Sequence, residues 1–415
     1  MLEQLLEDDA PAVRHALALN PHLPEALRKR LAGDEEAAEF DPYACIEEPS
    51  EELEGYMHTM YKTALAEAPE TPLTALLRLT KDEDGYIAGL AVRHPHMPDH
   101  LLADFARDPK LAIGVVEHPR CPVALLEKFS RHSDALLRGY VAKQPATPVP
   151  VLEQLATNYE SWVRDDVAKN LRTPAAVLMR LARDPEENVR KAVGANPALP
   201  AEALSLLAAD PEEEVRIAVA GNPSTPLVAL IALTRKSNPR RIRSAAMANP
   251  SIPQTWLAQW VREAGSEDEA PVGVAANPAA PPELLLTLAV RHAEDYSGIA
   301  YALAENPAST AAVLSILVTD QNEVTRTCIA KHPNVTGESL AHLAADAEEE
   351  VRQAVAAHPH TLPDTLKVLA SDDDARTRWL VAAHPGTPVE AQMILAEDDN
   401  EVVRANLAQH LRPAP

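Results

Sequence analysis

Aromatic side chains are scarce: Phe, Tyr and Trp make up 4% of the 415 residues, although hydrophobic residues reach 46%. A core must therefore come from Ala, Leu and Val, and such side chains suit thin layers of short helices better than one large globular centre. Cysteine is nearly absent. Cys45, Cys121 and Cys328 are odd in number, far apart and without a CxxC pair. That excludes a disulfide framework and any obvious zinc or iron–sulfur motif, and makes a reducing cytoplasm the simplest home. No run of 18 apolar residues is long enough to span a membrane. The acidic start, Met1-Leu-Glu-Gln-Leu-Leu-Glu, lacks the basic-then-apolar pattern of a signal. Positive charge is also in deficit, with 38 Lys and Arg against 62 Asp and Glu and a formal charge of −24. The deficit argues against nonspecific binding to phosphate backbones and to anionic membranes. It favours a partner with basic patches.

Glycine is rare too, at 13 residues, whereas proline reaches 37. The prolines are periodic, which marks them as punctuation between helices. A polar residue followed by Pro recurs at Asn20, His94, His118, Gln144, Asn196, Asn222, Asn249, Asn277, Asn306, His332, His358 and His384. Ala68 precedes a proline in the same register, while Asn170 and His410 precede leucine. Nine of the fourteen intervals are 26 residues, and the others are 48, 24, 27, 28 and 29. A fixed period of this size is the mark of a stacked-repeat protein.

The unit from Asp184 to Asp210 shows the logic. Val189, Ala192 and Val193 fall on one face of a short helix read over 189–195. Pro197 ends that helix, and Pro200 suits the first turn of the next. Leu204, Leu207 and Ala208 form the second helix's stripe, and Asp210 is placed as an N-cap for the following unit. One helix pair is too small to hide its apolar face, so the units must stack.

Two charged columns accompany the landmark. Arg or Lys stands six residues before it in eleven of fifteen units, and Asp twelve before it in eight. Stacking lines each column up. Asp184, Arg190, Asp210, Arg216, Asp320, Arg326, Asp346, Arg352, Asp372, Arg378, Asp398 and Arg404 therefore read as a structural ladder, in which a guanidinium can bridge two carboxylates. An Arg-lined groove for phosphate or acidic peptide is the other reading; it is the weaker because the arginines arrive with aspartates. The landmark Asn and His side chains can hydrogen-bond backbone across layers. A metal shared down the His column fails, since layers lie roughly 9 Å apart and zinc needs nitrogens near 2 Å. His94, His96 and His100 form a tighter group that reads as a polar turn.

The unit Val-Arg-x-Ala-Val-x-x-Asn-Pro-x-x-Pro-x-x-x-Leu-x-x-Leu-Ala-x-Asp resembles the leucine-rich repeat variant family, and more widely the HEAT-like group. The resemblance covers nearly the whole chain. It implies an all-α fold, a right-handed superhelical solenoid of about fifteen two-helix repeats, and no activity of its own. Some members of the variant family carry a cysteine-rich iron–sulfur segment. No such segment stands here, so no cofactor is expected.

Departures from the period set the expected organisation. Residues 1–32 form an N-terminal capping repeat, and 33–55 an acidic insertion that holds Phe40 and Tyr43 among its acids. Residues 56–264 form a first block, 265–305 an irregular stretch that bends the stack, and 306–415 a regular C-terminal block. The insertion reads as a plain loop or a docking segment. The basic run Arg235 to Arg243, with Arg240 and Arg241, reads as charge balance between layers or as a patch for an acidic partner. Trp162, Tyr301 and Trp379 stand on first helices where small or polar residues are usual, which makes them candidate contacts.

No nucleophile–base pair, phosphate loop or HExxH motif is present. The expected function is a non-catalytic scaffold for a protein or peptide. The alternatives are a HEAT-like nucleic-acid enzyme of the DNA-glycosylase type, which the acidic charge opposes, and a structural rod or homo-oligomer.

Overall fold

The computed structural model describes all residues except 1, 21, 24–26, 28–30, 32–55, 70, 264–269, 293–297 and 412–415. Among the described residues there are 29 α-helices and no strand. The helices alternate: a first helix, commonly nine residues, then a seven-residue second helix, as in Glu187–Ala195 and Ala201–Leu207. Pro200 lies just outside the second helix. Its ψ of 146° makes it the residue that turns the chain into the helix, one position earlier than the sequence suggests. Asp210 does not cap the next helix either. That helix is Glu213–Gly221, preceded by Glu212, and the Asp210 carboxylate instead accepts the Glu212 N–H at 3.0 Å in a tight side-chain turn.

Successive first helices pack on each other, and the β-branched positions make the seam. Val163, Val167, Val189, Val193, Val215 and Val219 are fully buried. The second helices add Leu178, Leu204 and Leu230, also fully buried. Each such leucine contributes about 1.5–3 kcal/mol by leaving water, yet only when the neighbouring layer is present to cover it.

The helices group into two compact units, Tyr43–Ile252 and Met1–Pro42 with Pro253–Pro415. The second grouping was not legible in the sequence. Helix Pro11–Leu19 packs directly on helix Glu401–His410, so the first repeat is the layer that follows the last. The acidic insertion 33–55, with Phe40 and Tyr43, lies outside the described residues.

Candidate interaction surface

Three sets of polar contacts recur along the stack, the first and third between neighbouring layers and the second within a layer. In the landmark column, Asn196 Nδ2 donates to the carbonyls of Ala168 and Asn170, and Asn222 Nδ2 to those of Gly194 and Asn196. Gln144, Asn170, Asn249 and Asn306 repeat the pattern. His332 and His384 reach Asn306 O and His358 O through Nε2. Their Nδ1 atoms accept backbone N–H groups, which leaves Nε2 as the ring donor toward the neighbouring layer. His94 is engaged in the same way by Ala68 O and the His96 N–H.

The second set is a buried hydroxyl three residues after the landmark. Thr147, Thr173, Thr225, Ser309, Thr361 and Thr387 each donate to a carbonyl at the end of their own first helix. This column went unread in the sequence because other layers fill it with Leu199, Ile252 or Val335, so it carries no uniform residue type.

The third set is the charged ladder, which runs between layers. Each cation takes the carboxylate of the following layer: Lys62–Asp82, Arg164–Asp184, Arg190–Asp210, Arg326–Asp346, Arg352–Asp372 and Arg378–Asp398, at 2.6–2.8 Å. From its own layer the arginine takes a backbone carbonyl, as Arg190 Nη1 does from Asp184. Arg378 alone among these spans two carboxylates, reaching Asp399 as well. Burial pushes Asp184, Asp210 and Asp346 upward, but the arginine hydrogen bonds, backbone N–H groups and nearby charges outweigh it and hold them below the usual carboxylate value. Asp320 has Ala300 where other rungs receive a cation. Arg216 keeps its own-layer bond to Asp210 O, while its buried Nε has no hydrogen-bond partner. The ladder also passes through the termini: Arg404 grips Asp8 at 2.7 and 3.0 Å, and Asn20 Nδ2 donates to Ala408 O and Leu411 O.

With the paired ladder cations engaged inward, an exposed strip of the surface is set by other residues. Trp162 stays 37% exposed and lies over Gly139, where any side chain would collide with the indole. It lines a shallow hollow of about 370 Å³ together with Asp165, Lys169, Asn188 and Lys191. Lys191 pairs with Glu214 at 3.1 Å, and Arg241 meets the same carboxylate at 2.8 Å. Trp162 and Arg241 are thus joined by one strip across successive first helices. Arg240 is exposed at the start of helix Arg240–Ala248. Tyr301 and Trp379 belong to the other compact unit. The Tyr301 hydroxyl is tied to Glu305, which pushes its pKa up to about 12, and the Trp379 ring is covered by the Arg376 guanidinium at 4.5 Å.

Asp166 was missed in the sequence. It is buried beside Trp162 and Gly139, with Lys143 Nζ at 3.6 Å, and burial pushes its pKa up to about 6. Its signal was an acid in a column that holds Ala192 and Ala218 in the next two layers.

Residues 187–212, one complete period, match the family model described as leucine rich repeat variant. This period is of the leucine-rich repeat variant type. A solved structure described as a leucine-rich repeat variant with a novel repetitive structural motif aligns at 19% identity, covering 73% of this chain and 87% of that one, with a TM-score of 0.26. No curated protein matches.

Proposed function

We propose that the chain is a non-catalytic scaffold that holds a protein or peptide against the exposed face of its first helices. The observation that carries this reading is the division of labour between arginines. In the paired rungs the arginine gives Nε and Nη2 to the aspartate of the next layer and Nη1 to carbonyls of its own, whereas Arg241, 67% exposed at its side chain, and the half-open Trp162 lie on a strip outside the ladder. Large aromatic and arginine side chains contribute most to binding energy at interfaces. The net charge of −24 points to a partner with basic patches and to rates of association that fall with salt. Among the described residues no helix is long and apolar enough to cross a membrane.

The test uses a partner recovered on the immobilised chain and then purified. Trp162→Ala should weaken its binding at least tenfold while leaving helicity unchanged. A partner that binds the Trp162→Ala and Arg241→Ala variants as tightly as the parent chain does would refute this strip as the contact surface.

A further inference from the structure

At Arg138, as at Arg216, a rung of the ladder lacks its acid, and at Arg138 both Nε and Nη2 are left unpartnered. Arg138 occupies the ladder column one layer before Arg164, is 7% exposed, and holds the common pose: Nη1 donates to His132 O at 2.8 Å and Ser133 O at 2.9 Å. Arg164 does the same toward Asn158 O and Tyr159 O. The two sites part at the other edge of the guanidinium. Arg164 gives Nε and Nη2 to the two oxygens of Asp184 at 2.7 and 2.9 Å. For Arg138, Nε and Nη2 are both buried and neither has a hydrogen-bond partner.

The sequence explains the gap. Twenty residues beyond Arg138, where the Arg164, Arg190, Arg326, Arg352 and Arg378 rungs have aspartate, stands Asn158. Its Oδ1 is fixed on the Glu160 N–H at 3.1 Å, as Asp184 Oδ1 is on Glu186. The second terminal atom of the side chain, which in Asp184 is the oxygen that accepts from Arg164 Nε, is therefore an NH2 donor. Donors face donors, and a nearly buried cation is left without its anion, which is among the costlier arrangements in a folded chain. Tyr159, 77% exposed, covers the face of the guanidinium with its ring centroid 5.3 Å from Cζ. The ring occupies the face and leaves the edge unmatched.

We propose that the Arg138 rung is a binding site for a carboxylate supplied from outside the chain. The layers at Arg164, Arg190, Arg326 and Arg352 show what this guanidinium pose holds: one carboxylate, gripped through Nε and Nη2. A carboxylate that displaces the Asn158 amide from this edge would meet the same two N–H groups, with the amide NH2 beside it as a third donor. Fork-to-fork geometry favours a planar carboxylate. The Tyr159 ring supplies an apolar wall on one side and stays in place. The site is independent of the Trp162 strip, so it stands or falls separately from the scaffold reading.

The experiment compares the full chain with Asn158→Asp, a change that rebuilds the internal rung and should stabilise the fold. Acetate replaces chloride at constant ionic strength and pH 7, and the Arg138 Nε–H resonance is followed, identified by its loss in Arg138→Lys. The expected result is a saturable shift of that resonance with a rise in Tm for the parent chain. Asn158→Asp should show neither response, and should melt higher than the parent in chloride alone. A second arm uses a capped Gly-Glu-Gly peptide. Tighter binding than acetate assigns the site to an acidic side chain of a partner, and binding of acetate alone assigns it to a small free carboxylate. If the parent chain shows no shift, or if Asn158→Asp shifts equally, the proposal is overturned.

Discussion

At the scale of single residues, the ladder separates two kinds of arginine that look alike in sequence. Arg352 has a side chain 16% exposed and makes two bonds to Asp372, at 2.7 and 3.0 Å, plus one to Asp346 O at 2.9 Å. Arg352→Ala leaves the Asp372 carboxylate, 7% exposed, without its cation. It should destabilise the stack by about 3 kcal/mol, the low end for breaking a buried pair. Arg241→Ala removes an exposed pair and should change stability by about 0–1 kcal/mol. Urea unfolding of the two variants checks the contrast; equal midpoints would place the ladder in solvent. Both columns were legible in the sequence, but which Asp serves which Arg was not. A translational repeat offers each arginine an acid six residues before it and another twenty after, and only the layer spacing decides between them.

The histidine landmarks give a pH dependence of known sign. Burial, aided at His118 by the Arg120 charge and at His358 by His360, holds His118, His358 and His384 below the ordinary imidazole value of 6.5. Each Nδ1 accepts a backbone N–H, from Arg120, His360 and Gly386, which a second ring proton would oppose. Because the folded value lies below the unfolded one, the unfolded chain binds more protons. Stability is then full above about pH 6.5 and falls as the pH drops through the folded values. Thermal melting between pH 8 and 5 should show this decline, and His358→Asn, the residue other layers use, should make it shallower.

At the scale of elements, the proline and landmark columns made the helix pairs readable. Exact boundaries were less so, because Pro200 and Asp210 each have two plausible jobs at a helix entrance, and the structure gives Pro200 the residue before the helix and Asp210 a turn two residues ahead of one. Among the described residues, the irregular repeats lack the ladder pair. Helices Ala270–Ala275 and Ile299–Glu305 have six and seven residues, and Pro271 and Ala300 stand where the ladder cation belongs. Gly298 enters the second of them at φ 75°, a left-handed conformation that other residues rarely adopt. Weak layers in a stacked array open locally before their neighbours. Hydrogen exchange in these two helices should therefore be faster than in Glu323–Lys331 and Glu349–Ala357; uniform protection across 270–357 would contradict that expectation.

At the scale of the whole molecule, the same rung geometry that joins neighbouring repeats also joins the first repeat to the last. Arg404 holds Asp8 as Arg378 holds Asp398, and Asn20 reaches Ala408 O as Asn196 reaches Ala168 O. Sequence alone could not show this, since one repeat's Asp and Asn fit any other repeat's Arg and carbonyls. The most direct measurement is the distance between spin labels at the exposed positions Glu7 and Glu401. Neighbouring helices about 8–10 Å apart predict one narrow distribution near 20 Å once the label arms are included, broadened by Arg404→Ala combined with Asn20→Ala. A broad distribution centred beyond about 40 Å in the parent chain, more than four layers at that helix spacing, would contradict the account.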